Sequence, residues 1–173
     1  MKFIGDVWKF GDNIGATDLV SSAHDDLGMG RQWTECARHV LEDLDPAFPS
    51  KVKAGDILVA GEKLGAGHAH YYPAAIMGSS ATELAGLFAE SVGALFQRNA
   101  IDLGVPIWPL PGISALVETG DRLELDLATG NAKNITTGKT LWFKPVSPVI
   151  LEILEAGGST NWGLRRIGKL QAA

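Results

Sequence analysis

Residues 41–73 read LEDLDPAFPSKVKAGDILVAGEKLGAGHAHYYP. Asp45-Pro46 stops whatever helix precedes it, because proline disfavours helical backbone at the residue before it. Lys53-Ala54-Gly55-Asp56 is a turn, and Ile57–Gly61 (ILVAG) is an uninterrupted apolar run of the length expected for a buried strand. A glycine-bearing loop, 62–72, follows, and Pro73 is placed to open a helix over 74–82. A buried strand, a glycine loop and a helix in succession are the repeating grammar of an α/β domain.

Working outward, FIGDVWKF (3–10) predicts a strand ending at Gly11-Asp12-Asn13, and 14–30 reads as a glycine-broken ordered loop. Trp33, Ala37, Val40, Leu41 and Leu44 recur at helical spacing and predict one amphipathic helix over 31–44, with His39 on a helix face. Downstream, 84–91 is a buried strand, 92–104 a helix closed by Gly104, and 105–108 a short strand. In RLELDLA (122–128) Leu123, Leu125 and Leu127 alternate with charge, which marks a half-buried strand. Residues 131–137 pair back as a hairpin, 140–143 is a further strand, and Ser147-Pro148 opens a helix that runs to Gly157-Gly158. The expected architecture is α/β, a single domain over 1–158, with a weakly patterned tail at 159–173.

Composition removes several function classes. The chain has 173 residues, 46% of them hydrophobic and 20% charged, which suits one folded domain rather than a disordered chain. With a net charge of −5 and no basic block, the expectation is no nucleic-acid partner and no membrane surface. No run of about 18 apolar residues is present to span a bilayer. MKFIGDVWKFGDN meets Asp6 before any apolar run long enough for a signal peptide, so the expected setting is cytoplasmic. The single cysteine, Cys36, is too few for a disulfide framework or for an iron–sulfur cluster held by this chain alone, and reads as packing.

The candidate chemistry lies in GEKLGAGHAHYYP (61–73). Gly65 and Gly67 let backbone amides approach an anionic ligand ahead of a helix. Histidine as a residue type titrates near neutral pH, so His68 and His70 suit proton transfer, with Tyr71 as a candidate proton donor. A His-x-His pair also offers two metal ligands, for which His24 is the remaining third candidate, since His39 is assigned to a helix face. Asp12-Asn13 and Thr17-Asp18 offer hydroxyl and carboxylate groups in the first loop, and Arg98 offers a carboxylate fork on the 92–104 helix. Each has a plainer reading as turn chemistry or a solvated surface group.

Taken in order, VWKFGDNI (7–14), TD (17–18), LEDLDPAFPSKVKAGDILVAGEKLGAG (41–67), FAES (88–91), RNAIDLGVPI (98–107), GDRLELDLATGNAKNITTGK (120–139) and ILEAGG (153–158) resemble the small subunit of 3-isopropylmalate dehydratase, the swivelling domain of the aconitase superfamily. The resemblance implies a compact three-layer β/β/α domain with a mixed sheet and flanking helices. It implies an aconitase-like large subunit carrying a [4Fe-4S] cluster, none of it bound by this chain alone, and a small hydroxy di- or tricarboxylic acid as substrate. The implied activity is hydro-lyase chemistry, with this subunit closing the site and supplying carboxylate-binding and proton-moving groups.

After Gly-x-Gly the family reads Ser-Ser-Arg-Glu-His, where the second serine is the base and the arginine a carboxylate ligand. Here the same positions are His68, Ala69, His70, Tyr71 and Tyr72. The family's Asn-Ile-Asp-Thr-Asp becomes Asn13-Ile14-Gly15-Ala16-Thr17-Asp18, one residue longer. The expected catalytic groups are therefore His68, His70 and Tyr71, and the expected substrate contacts Thr17, Asp18, Gly65, Gly67 and Arg98, with no resident metal assigned. Two alternatives stay open: a non-catalytic ligand-binding or assembly subunit of the same fold, and a metal protein using His68, His70 and His24.

Overall fold

The structure is a computed structural model, and it describes residues 1–67, 71–78 and 82–169. Its described strands are β1 (Lys2–Lys9), β2 (Ile57–Ala60), β3 (Gly86–Ala89), β4 (Ile107–Pro109), β5 (Arg122–Asp126), β6 (Asn131–Asn134) and β7 (Thr140–Trp142). They form one sheet in the order β4-β3-β2-β1-β5-β6-β7. β1 to β4 run parallel to one another, with Val7 level with Ile57 and Leu58 level with Leu87. β5 lies antiparallel to β1, pairing Phe3 with Leu125, and β6 and β7 continue antiparallel. β1 is thus the seam of a mixed sheet.

The apolar run ILVA is buried at every position because β2 is covered on both faces. Leu58 and Ala60 join Leu87, Ala89 and Ile107 in a core shared with the helices. Ile57 and Val59 point the other way, into a core with Val7, Phe88, Leu123, Leu125 and Ala132. The antiparallel half supplies the layer over that second face, and Phe3 meets Phe88 edge-on at 5.5 Å. Layers of sheet, sheet and helix result, so the expected α/β architecture with a mixed sheet and flanking helices is what the chain adopts. Each large apolar side chain so buried contributes about 1.5–3 kcal/mol.

The helices are α1 (Ala16–Leu19), α2 (Asp25–Met29), α3 (Trp33–Cys36), α4 (Phe48–Lys51), α5 (Tyr72–Met77), α6 (Ala94–Leu103), α7 (Ile113–Leu116), α8 (Pro148–Glu155) and α9 (Ser159–Arg166). Among the described residues no helix is long and apolar enough to cross a membrane.

Two sequence expectations need correction. The stretch 14–30 is not a loop throughout: it holds α1, a 3-10 turn at Ser22–His24, and α2. Such short turns carry no periodicity, and buried Leu19 and Val20 fix them through tertiary packing. The single helix over 31–44 also fails. α3 gives way to a 3-10 turn at Ala37–His39, Val40 is extended, and Leu41 has a φ of 58°. Val40 pairs with Val20, and the Leu41 N–H donates to the Leu19 carbonyl at 3.0 Å, so long-range bonds replace helical ones. The helical spacing arose because Cys36, Ala37, Val40 and Leu41 are all buried, whatever the backbone between them. Within the weakly patterned tail, α9 packs on α8 and α6, with the Trp162 indole N–H donating to Glu152 at 3.1 Å.

Candidate functional site

In an open α/β sheet, ligands bind beyond the carboxyl ends of the parallel strands. Three loops leave those ends here: 10–15 after β1, 61–67 after β2 and 90–93 after β3. They are laced together almost wholly through backbone. The Gly61 N–H donates to the Gly11 carbonyl at 3.0 Å, Asn13 N–H to Glu62 carbonyl at 2.7 Å, and Gly65 N–H to Ile14 carbonyl at 2.7 Å. On the other side, Leu64 N–H donates to Ser91 carbonyl at 3.0 Å, Lys63 N–H to Ser91 Oγ at 2.9 Å, and Gly93 N–H to Leu64 carbonyl at 2.8 Å.

Gly65 sits in the left-handed region at a φ of 69°, and a Cβ there would meet the Phe96 ring at 2.1 Å. Only glycine fits, and the tight turn directs the chain onward into Gly67, whose φ is 99°. Gly15 bridges to Ala66, which brings α1 against this turn. The structure therefore unites Thr17, Asp18, Gly65 and Gly67 around one feature. Thr17 is exposed, whereas Asp18 accepts the Gly15 N–H at 2.7 Å and closes the first turn of α1. Asp12 is similarly engaged, accepting the Glu62 N–H at 2.7 Å. Both carboxylates serve first as loop staples.

Arg98 lies on α6, two residues beyond the Phe96 that packs on Gly65, and is exposed. Among the described residues it has no hydrogen-bond or ion-pair partner, so its guanidinium is available. Tyr71, at the start of α5, is half exposed and lines an open cleft of about 380 Å³ with Arg31, Trp33, Ala75, Gly78, Leu103 and Val105. That cleft shares no lining residue with the glycine turn. A larger cavity of about 530 Å³, beside Trp8, Lys53 and Asp56, likewise includes none of the three loops. His68 and His70 lie outside the described residues.

Several contributors escaped sequence reasoning. Glu90, at the end of β3, accepts N–H bonds from Gly112 at 2.6 Å and Ser114 at 2.8 Å, together with the Ser114 hydroxyl. Burial pushes its carboxyl up, but those donors outweigh burial and hold it below the usual carboxylate range. The FAES run ends on this residue and Ser91, and only their place at a strand's carboxyl end hinted at a role. Cys36 is wholly buried, and burial, then Asp26 and Asp25, push its thiol up to about 11. It packs, as read from sequence.

The 3-10 turn at Ala37–His39 also removes His39 from the expected helix face. His39 and His24 both contact Glu42, and their rings stack at 3.7 Å.

Comparison with known proteins places this geometry. No protein-family model matches the chain. It is 38% identical over 168 residues to the 3-isopropylmalate dehydratase small subunit of Thermodesulfovibrio yellowstonii, covering 96% of each chain. It is 41% identical over 167 residues to the isopropylmalate/citramalate isomerase small subunit of Methanocaldococcus jannaschii, again 96% of each. The crystal structure of a 3-isopropylmalate dehydratase from Methanocaldococcus jannaschii superposes with a TM-score of 0.86 at 28% identity over 96% of each chain. By this likeness along nearly its whole length, the chain belongs to the family of 3-isopropylmalate dehydratase small subunits.

Proposed function

We propose that this small subunit closes the active site of a large subunit bearing a [4Fe-4S] cluster, and that the pair interconverts a small hydroxy di- or tricarboxylic acid with its dehydrated form. The observation that carries the reading is the laced turn at Gly65–Gly67, which is bridged to the start of α1 through Gly15 and Ala66 and stands at the carboxyl ends of β1, β2 and β3. The wholly buried, protonated Cys36 offers no thiolate, which fits a cluster held by the partner. When bound there, the cluster would supply a Lewis acid for the departing hydroxyl.

This chain's residues have complementary tasks. The Gly67 amide, the Thr17 hydroxyl and the Arg98 guanidinium, which has no partner among the described residues, bind and orient substrate carboxylates, while the Gly65 and Ala66 amides are spent on the Ile14 and Lys63 carbonyls. Asp18 holds the first loop in register. His70 or His68, in neutral form, takes the proton from the carbon beside a carboxylate, the hydroxyl of the neighbouring carbon leaves with a solvent proton as water, the histidine returns its proton to solvent, and the reverse reaction runs the same steps backwards. Tyr71 opens on the separate cleft beside Trp33 and takes no part in this step.

The test is co-expression with an aconitase-like large subunit, purification of the complex, and assay against a panel of hydroxy di- and tricarboxylates. H68A and H70A are each compared with the unsubstituted complex, and at least one is expected to lower kcat by about a hundredfold or more. The departure from Ser-Ser-Arg-Glu-His favours one competing reading, a non-catalytic binding or assembly subunit. That reading predicts unchanged turnover in H68A, H70A and Y71F alike, and such a result would replace the proposal.

A further inference from the structure

A second group of chemistry-bearing residues lies outside the glycine turn. His24 closes one 3-10 turn, His39 closes another, and Glu42 lies in the turn that follows. The antiparallel bridge between Val20 and Val40 brings these separate segments together. Glu42 Oε1 is 2.7 Å from His24 Nε2, and Oε2 is 2.7 Å from His39 Nδ1. One ligand atom from each residue lies within 4.8 Å of the others. The side chains are 22%, 30% and 31% exposed, partly sheltered yet open to solvent on one side.

We propose that His24, His39 and Glu42 form a binding site for a single divalent transition-metal ion of the zinc class. Two imidazole nitrogens and a carboxylate oxygen are the donors such ions prefer, and hard calcium or magnesium would not choose them. Donors on a tetrahedral zinc ion sit about 2.0–2.2 Å from the metal, hence roughly 3.3–3.5 Å from one another. Both contacts with Glu42, at 2.7 Å, are shorter than that spacing, and all three ligand atoms lie within 4.8 Å of one another, so side-chain rotations alone can open the cluster around an ion. Water fills the fourth position from the open side.

The rings are inclined by only 20° to each other, and a lone pair lies in the plane of its ring. Nearly parallel rings cannot both aim at one ion, so binding turns at least one ring about its χ2 and breaks the stack. Each coordinating nitrogen also gives up any proton it shares with Glu42. Without the ion, the same three groups form a histidine–carboxylate clamp. With it, the ion ties the segment after α1 to the segment after α3. This inference does not depend on the catalytic reading of the glycine turn.

Zinc alone is the probe. Calorimetric titration of the full chain should show one equivalent bound, and the H68A/H70A double variant should retain it. H39A and E42A should each weaken that binding tenfold or more. Because substitution at a tertiary bridge can disturb folding, a second measurement uses the unsubstituted chain: zinc should shift the NMR ring resonances of His24 and His39 together. The proposal is overturned if no equivalent binds, if binding disappears in H68A/H70A but persists in H39A, or if the His24 and His39 resonances stay still.

Discussion

Gly65 rests against the ring of Phe96 so closely that a single methyl group has nowhere to go: the nearest ring atom would be 2.1 Å from it. This contact sets the shape of the turn that leads into Gly67, the proposed substrate amide. Gly65→Ala combines that clash with a φ of 69°, and should cost about 2–4 kcal/mol. Gly67 has a φ of 99° but, among the described residues, nothing within 4 Å of its would-be Cβ, so Gly67→Ala should cost only about 1–2 kcal/mol of backbone strain. Urea unfolding of the two variants checks the order. Equal losses would mean that Phe96 moves aside freely.

Glu90 should make stability fall with acidity. Its folded carboxyl is held below the ordinary range, despite burial, by Gly112 and Ser114. A depressed carboxylate contributes stability that is fully present above its unfolded value of about 4.3 and is lost as pH falls through the folded value. Glu90→Gln should therefore destabilise by about 1–3 kcal/mol near neutral pH, with a difference from the unsubstituted chain that shrinks below about pH 4. Denaturant titrations between about pH 3 and pH 7 read that convergence. A difference independent of pH would show that the charge is irrelevant.

Asp56 accepts the Trp8 indole N–H at 2.8 Å and the Lys53 N–H at 2.9 Å through the same oxygen, and is only 6% exposed. Asp56→Ala leaves both donors without that acceptor and should cost about 1–3 kcal/mol. Asp56→Asn keeps an acceptor oxygen and should cost under about 1 kcal/mol. Thermal melts of the pair distinguish loss of the bonds from loss of the charge.

Cys36 should report unfolding. A thiol raised to about 11 holds roughly a few hundredfold less thiolate than an ordinary one near 8.5, and burial shields what remains. Iodoacetamide labelling near neutral pH should be slower in the native chain than in urea by at least about a hundredfold. Comparable rates would place the sulfur at the surface.

Legibility from sequence followed the range of the interactions involved. The ILVA run and the Leu123–Leu125 alternation announced their strands because each records which sheet faces are buried. The glycine turn was readable because Gly65 and Gly67 must adopt positive φ. The helix expected over 31–44 failed where Val40 found a partner twenty residues away in Val20, a pairing that no local spacing records. The same bridge explains why His24, His39 and Glu42 were not grouped. Glu90 was silent because its partners, Gly112 and Ser114, lie 22 and 24 residues further along the chain. Short-range grammar wrote the strands, while long-range pairing wrote the staples.

The position of β1 as the seam of the sheet bears on how the chain is made. Its parallel neighbour begins at Ile57, and its antiparallel neighbour spans Arg122–Asp126. In the order of synthesis, one hydrogen-bonding edge of β1 is bare until about a third of these 173 residues has been made, and the other until more than two thirds has. Contacts so distant along the chain favour slow folding and leave an adhesive strand exposed meanwhile. Lys2, Asp6 and Lys9, spaced along that strand, give the waiting edge charges that discourage pairing with another chain.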